Sequence, residues 1–171
     1  MFETTNLQIV KAKMEVAQRL TTIQNSWENQ ELITGNLGAD VEYFITALKD
    51  GHIPPNGKQK NYHILAVKDK INSEIIGLLE IYLGYPHLAT LWLGQLVIGK
   101  AYRGFGFGNE VVTGLKIWAI QEGFNNIQLG VFEKNEQAIK FWHRNNFTKK
   151  IKISTGEEFI VRTLECQLGE K

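Results

Sequence analysis

The stretch Arg103-Gly104-Phe105-Gly106-Phe107-Gly108 sets three alternate glycines between an apolar run and a second apolar segment. The run before it, Leu88 to Ile98, is rich in branched and aromatic residues and reads as a strand. The segment after it, Asn109 to Glu122, carries Val111, Val112, Leu115, Ile117, Trp118, Ala119 and Ile120, with Gly123 as a stop signal. It reads as a helix with little polar face, which has to be buried against a sheet. A strand, a glycine turn and a helix start make an anion site. The first helical amides lack backbone partners, and the helix dipole favours negative charge there. Glycines at 104, 106 and 108 remove side chains that would hold a phosphate away. Arg103 adds a permanent positive charge with several donors.

The rest of the chain supplies a sheet for that unit. Met14, Val16, Ala17, Leu20 and Ile23 recur near helical spacing after the short apolar start Leu7–Val10, which suits a strand. Asp40 is placed to cap a second helix bearing Val41, Phe44, Ile45 and Leu48. Lys49 to Asn61, with Pro54, Pro55 and Gly57, reads as a surface loop. Tyr62–Val67, Ile75–Leu83 and the alternating Ile127, Leu129 and Val131 read as strands. Asn135–Asn145 returns to helix, and Ile151–Ile153 and Phe159–Val161 close the chain as strands. This order predicts an α/β (α+β) sandwich, one domain over residues 1–171.

Composition narrows the function classes. Nineteen basic against eighteen acidic residues give a formal net charge of +1, which excludes a strong whole-protein field for nucleic acid or anionic membrane. The single cysteine, Cys166, cannot form an intramolecular disulfide or a cysteine metal cage, and a reducing cytoplasm is the expected compartment. No signal peptide, membrane span or metal site is expected.

The loop chemistry fits a pyrophosphate, and the spacing says which kind. The dinucleotide fingerprint needs a third glycine where Asn109 stands, and the Walker loop needs a Gly-Lys-Ser/Thr that is missing. What remains is Arg-x-x-Gly-x-Gly. The stretch Leu96-Val97-Ile98-Gly99-Lys100-Ala101-Tyr102-Arg103-Gly104-Phe105-Gly106-Phe107-Gly108 resembles the central cofactor motif of the GNAT superfamily, the GCN5-related N-acetyltransferases. Asn135 to Phe147 resembles that family's second cofactor helix. The resemblance is specific from about Leu88 to Phe147.

It implies a mixed, strongly bent sheet flanked by helices, and a soluble acyl-CoA-dependent N-acetyltransferase. It implies acetyl-CoA as acyl-donor cosubstrate, an amine acceptor (small molecule or peptide), and neither nucleic acid nor membrane as partner. A homodimer is left open. A non-enzymatic CoA-binding module of the same fold and an enzyme for a longer acyl-CoA are the alternatives. By the same resemblance, the backbone of Leu96, Val97 and Ile98 pairs with the pantetheine arm, and the Ile98 amide polarises the thioester carbonyl. Arg103, Gly104, Phe105, Gly106, Phe107, Gly108 and Asn109 form the pyrophosphate loop, their amides from Gly104 onward holding it. Asn135 holds the pantetheine arm, caps its helix, or both. Ala138 allows close approach. Trp142 is a core or cofactor-lining aromatic. It stands where many relatives have a tyrosine able to protonate the leaving thiolate, and indole cannot do that. Asn146 replaces a usual glycine, in a conformation asparagine tolerates.

An alkyl ammonium is only ~0.1% neutral at pH 7, so a base has to take its proton, directly or through water. Glu80 and Tyr82 fall on one strand face, near the turn containing Tyr85 and His87. Glu80 and Tyr82 are the candidate catalytic side chains, although Glu80 is expected to be solvated. A covalent route through Cys166 is disfavoured, since nothing near it in sequence would lower its pKa.

Overall fold

The computed structural model describes residues 1–28, 30, 38–156 and 159–169. Its strands are β1 (Phe2–Glu3), β2 (Leu7–Lys11), β3 (Tyr62–Asp69), β4 (Ile75–Leu83), β5 (Thr90–Ile98), β6 (Asn126–Phe132), β7 (Lys149–Thr155) and β8 (Ile160–Gln167). Its α-helices are α1 (Ala17–Gln24), α2 (Val41–Lys49), α3 (Phe107–Gln121) and α4 (Glu136–Arg144). The eight strands form one sheet in the order β1-β2-β3-β4-β5-β6-β8-β7. Every neighbouring pair is antiparallel except β5 and β6, which are parallel because α3 crosses between them.

Helices cover both faces, so the central strands read as apolar runs rather than clean alternations. On one face α3 buries Val111, Val112, Leu115 and Ala119 completely, against Leu79, Ile81, Leu91, Leu93 and Ile127. On the other face Ala17, Leu20 and Ile23 of α1 and Phe44 and Ala47 of α2 pack with Ile64, Leu78, Tyr82 and Val97. The Asp40 side chain accepts from the Tyr43 amide and caps α2, as its position predicts. The segment 14–23 begins as a turn of 3-10 helix, Met14–Val16, before α1 proper.

Register shifts interrupt the ladder. Glu80 pairs with Gln95 and Ile81 with Leu93, so Gly94 stands alone as a bulge in β5. The bulge moves the side-chain alternation by one. Leu91 and Leu93 face α3 before it, and Ile98 faces α3 after it, while Val97 turns to the α1/α2 face. Such shifts bend a sheet locally.

Candidate active site

The parallel pairing of β5 and β6 runs from Thr90↔Asn126 to Leu93↔Leu129 and stops there. Beyond the bulge the strands part, and among the described residues the end of β5 keeps β4 as its only strand partner. A cleft of about 420 Å³ opens in the gap. Its walls include Leu96 and Ile98 of β5, Leu129 to Phe132 of β6, the loop glycines, and Asn135, Ala138 and Trp142.

The edge has a definite polarity. The Gly99 amide donates to the Ile76 carbonyl at 2.8 Å, which puts Gly77↔Ile98 in the non-bonded class of antiparallel pairs. The classes alternate, so Leu78↔Val97 exchanges backbone hydrogen bonds and Leu79↔Leu96 does not. Leu96 and Ile98 therefore present their amides and carbonyls to the open side. Val97 turns its backbone to β4 and its side chain into the α1/α2 core, so the expected three-residue pairing edge is corrected to two residues.

At the end of β5 the chain makes a turn of 3-10 helix, Lys100–Tyr102, and enters the glycine loop. Gly104 and Gly106 have φ of +82° and +85°, angles that side chains disfavour, and a Cβ on either would meet nothing within 4 Å. Gly106 is the N-cap of α3 and offers no capping side chain, so the first amides of α3 face outward. α3 starts at Phe107, two residues before the expected start at Asn109. Gly108 has a different reason for its size: a Cβ there would lie 3.3 Å from the Phe141 ring of α4. It keeps the two helices close as well as lining the cleft. The Phe105 side chain is 73% exposed, and Phe107 packs against the core.

Arg103 does not extend over the loop as a lone cation. Its guanidinium carbon lies 3.3 Å from the centre of the Trp27 ring, and its Nε donates to the Ile98 carbonyl at 3.1 Å. Trp27 Nε1 donates to the same carbonyl at 3.2 Å. Partial burial holds the Arg103 pKa below its ordinary value. The permanent charge expected of Arg103 is carried by a guanidinium stacked at the cleft wall. Two donors already occupy the Ile98 carbonyl, and its amide faces the gap.

Asn135 caps α4, its Oδ1 accepting from the Ala138 amide at 3.0 Å. Trp142 is 8% exposed and packs edge-on against Phe141 and Phe147 at centroid distances of 4.8 and 5.2 Å. Asn146 has φ of +65°, the left-handed conformation its type tolerates.

On the α1/α2 face, Glu80 and Tyr82 do share a side of β4, but neither is a solvated surface group. The Glu80 side chain is 14% exposed, and its Oε1 lies 3.3 Å from His52 Nδ1. The hydroxyls of Tyr43 and Tyr62 each lie 3.4 Å from that same nitrogen. His52 thus gathers α2, β3 and β4 around Glu80. The Glu80 hydrogen bond raises the His52 pKa, against partial burial, which lowers it. Burial, with the Glu80 charge adding to it, pushes the Tyr43 and Tyr62 hydroxyls well above the usual phenol range. Tyr82 is buried, and its hydroxyl accepts from the Lys58 amide, which ties down the Lys49–Asn61 loop. Tyr85 packs edge-on against both Tyr82 and Trp92. Glu80 lies behind the bulge: a Cβ on Gly94, which lines the cleft, would lie 3.3 Å from its Oε1. Cys166 is buried in β8, and burial raises its thiol pKa, which suits packing rather than nucleophilic work.

Sequence reasoning missed His52, Tyr43, Tyr62, Trp27 and Gln95. The available signals were a histidine in a loop read as surface, and a glycine–glutamine pair inside an apolar strand. Among the described residues, no group of His, Cys, Asp and Glu is arranged to hold a metal ion, and no helix is long and apolar enough to cross a membrane.

Known structures share this fold. An acetyltransferase from Thermus thermophilus is 18% identical, with a TM-score of 0.73 over 98% of this chain and 100% of its own. A Salmonella typhimurium protein solved with its cofactor acetyl-CoA is 17% identical, with a TM-score of 0.68 over 98% and 96%. A mutant spermidine N-acetyltransferase from Vibrio cholerae is 15% identical, with a TM-score of 0.72 over 96% and 95%. At these identities the likeness establishes the fold. A sequence comparison with curated proteins finds no match. The sequence model of the Acetyltransferase (GNAT) family matches residues 24–147, a span from the end of α1 through the parted strands and glycine loop to the end of α4. With that match added to the shared fold, the chain belongs to the GNAT family, the acyl-CoA-dependent N-acetyltransferases.

Proposed function

We propose that this enzyme transfers the acetyl group of acetyl-CoA directly to a primary amine. The observation that carries the reading is a cleft with outward backbone groups at both ends, Leu96 and the Ile98 amide on the β5 edge and the first amides of α3. A pantetheine arm has amides that pair with a strand edge, and a pyrophosphate suits the amides of a helix start. The residues present therefore fit acetyl-CoA.

In this reading the amides from Gly104 to Asn109 hold the pyrophosphate. Leu96 and Ile98 pair with the pantetheine amides, and Asn135 adds a hydrogen bond beside its capping role. Ala138 leaves room for the arm, and Trp142 forms the apolar wall under it. When bound, acetyl-CoA supplies an activated acyl carbon. The Ile98 amide polarises the carbonyl oxygen as a fixed donor that needs no reorganisation. Glu80, held by His52 beside the bulge, takes a proton from the acceptor nitrogen directly or through one water. Tyr82 shapes the acceptor side as a packed and hydrogen-bonded residue, not as the base. The buried, unpaired Cys166 suits a reducing cytoplasm as the place of work.

Two measurements test the reading. Acetyl-CoA raises the melting temperature, because a ligand that binds only the folded state stabilises it; equal stabilisation by NAD or ATP at the same concentration overturns the cofactor assignment. Thiol release is then followed across a panel of primary amines, with spermidine among the first, since a structural neighbour is named for it. A parent enzyme that binds acetyl-CoA yet acetylates none of them overturns the transfer reading.

A further inference from the structure

Gln95 is the polar side chain that neither the fold nor the reading above explains. It is 9% exposed, and neither its Oε1 nor its Nε2 has a hydrogen-bond partner among the described residues. Gln24 and Asn126 each leave a side-chain oxygen without a partner, but Gln95 leaves both polar atoms, and other buried carboxamides are bonded. Gln128 gives its amide to Glu165 at 2.6 Å, and Asn145 gives its own to Asn109 and to the Phe141 carbonyl, each at 2.9 Å. An unpartnered buried amide costs stability, and such costs persist where a ligand completes the hydrogen bonds.

Its position says which ligand. Gln95 lines the cleft and follows the Gly94 bulge directly. Register sets it opposite Glu80, and alternation with Val97 puts its side chain on the α1/α2 face, where Glu80 also stands. Directly opposed side chains start about 5 Å apart at Cβ, so the carboxamide and the carboxylate can hold one small group between them. The Glu80 carboxylate is engaged by His52 at Oε1 and accepts a hydrogen bond from the Tyr62 hydroxyl, and with about four lone pairs it can accept a further donor. A primary amine has N–H donors enough for both partners, whereas in the acetyl-transfer reading the pantetheine arm pairs with the β5 edge at Leu96 and Ile98.

We infer that the Gln95 carboxamide binds the acceptor amine together with Glu80, its Oε1 accepting one N–H while Glu80 accepts another, which turns the nitrogen lone pair toward the thioester. The inference rests on the acetyl-transfer reading. The reaction balances as an ammonium losing two protons. The C–N bond forms as the C–S bond breaks; one proton reaches solvent through Glu80, and the other ends on the departing thiol. Gln95 takes no proton. It contributes affinity and aim, which lower KM and raise kcat/KM.

The test compares Gln95→Met, which keeps length and loses both polar atoms, with Gln95→Glu, which keeps an acceptor oxygen. The probes are acetyl-CoA and ethylamine, an amine that asks nothing of the pocket beyond its nitrogen site. With Gln95→Met, KM for ethylamine rises at least about tenfold, about 1.4 kcal/mol. Calorimetric affinity for acetyl-CoA stays within about twofold, because pantetheine contacts are untouched. The unliganded protein melts at or above the parent temperature, because an unsatisfied polar group has gone. Gln95→Glu keeps KM within about threefold of the parent, the carboxylate still accepting from nitrogen. A packing role gives the reverse order, with methionine tolerated and buried glutamate damaging. An unchanged ethylamine KM in Gln95→Met, with transfer intact, overturns this inference and leaves the acetyl-transfer reading standing. A tenfold loss of acetyl-CoA affinity in that variant places Gln95 in the cofactor site and also overturns it. A parent that binds acetyl-CoA but acetylates no amine, ethylamine included, overturns the reading itself, and this inference falls with it.

Discussion

Along the open edge of β5, the groups offered to a ligand are backbone amides and carbonyls. On the α1/α2 side of the same strand, they are side chains: Glu80, His52, Tyr43, Tyr62 and Gln95. The first set comes from one nearly continuous stretch, β5 through the start of α3, completed by α4. The second is gathered from α2, the loop after it, β3, β4 and β5. A pyrophosphate and a pantetheine arm are the same in every acyl-CoA, so a site made of main chain serves them whatever the side chains are. An acceptor differs from enzyme to enzyme, and discriminating it takes side chains whose placement depends on the whole fold. One strand with a bulge in its middle keeps these tasks apart.

The comparison breaks first if the two sides cannot be disabled separately. Glu80→Gln removes the proposed base and keeps the shape. We expect kcat to fall by about 100-fold or more, while acetyl-CoA affinity by calorimetry stays within about twofold. A parallel loss of acetyl-CoA binding would mean that Glu80 supports the cleft rather than the proton transfer.

The reciprocal change is Gly106→Val. Valine disfavours the φ of +85° at the α3 cap and would stand among the outward amides. Acetyl-CoA binding should weaken at least tenfold, about 1.4 kcal/mol, with circular dichroism showing the fold retained. Arg103→Ala should cost less, because the amides and the helix dipole remain and the guanidinium is already stacked on Trp27. Parent-like binding by folded Gly106→Val would reduce the loop to a turn.

Asn135→Ala sharpens the boundary between structure and ligand on the cofactor side. Loss of the cap bond to the Ala138 amide should cost about 1 kcal/mol of stability in denaturant unfolding. The affinity for acetyl-CoA should fall as well. Unchanged affinity would leave Asn135 as a cap alone.

The two sides also differ in how far the sequence discloses them. The loop, the apolar α3, and the β4 bounds Ile75 and Leu83 follow from local pattern, because each is dictated by neighbours in the chain. The start of α3 at Phe107 rather than Asn109 is a local matter too, with Gly106 taking the cap. The parting of β5 and β6 after Leu93 has no local mark, since register belongs to the sheet. Strand β1 has only two residues, Phe2 and Glu3, and exists through its pairing with β2. His52 lies in a segment whose Pro54, Pro55 and Gly57 signal surface loop, yet that loop folds back to deliver an imidazole to a half-hidden carboxylate. Nothing in the spacing of residues 52 and 80 states that contact. Glu80 was identifiable by its strand face, but its burial was not, because α2 and the loop that cover it pack from elsewhere in the chain.

The smallest effect expected is the one that best tests whether the acceptor side is a unit, and it comes from His52→Gln. Glu80 raises the His52 pKa above the ordinary value of 6.5. The groups facing the imidazole are Glu80 from β4, Tyr43 from α2 and Tyr62 from β3, so the carboxylate is its only charged partner among the described residues. A histidine with a raised folded pKa binds its proton more tightly in the native state. The resulting stability is fully present below about pH 6.5 and is lost as pH rises through the raised value. The side chain is 39% exposed, and solvent screening keeps the increment within about 1 kcal/mol. Parent and His52→Gln should therefore differ in melting temperature at pH 6 and converge by pH 9. The variant should also shift the acid limb of the kcat/KM profile, since the imidazole neighbours the base. A melting difference that is constant with pH would assign His52 to packing against Tyr43 and Tyr62, and Glu80 would then act without an ionisable partner.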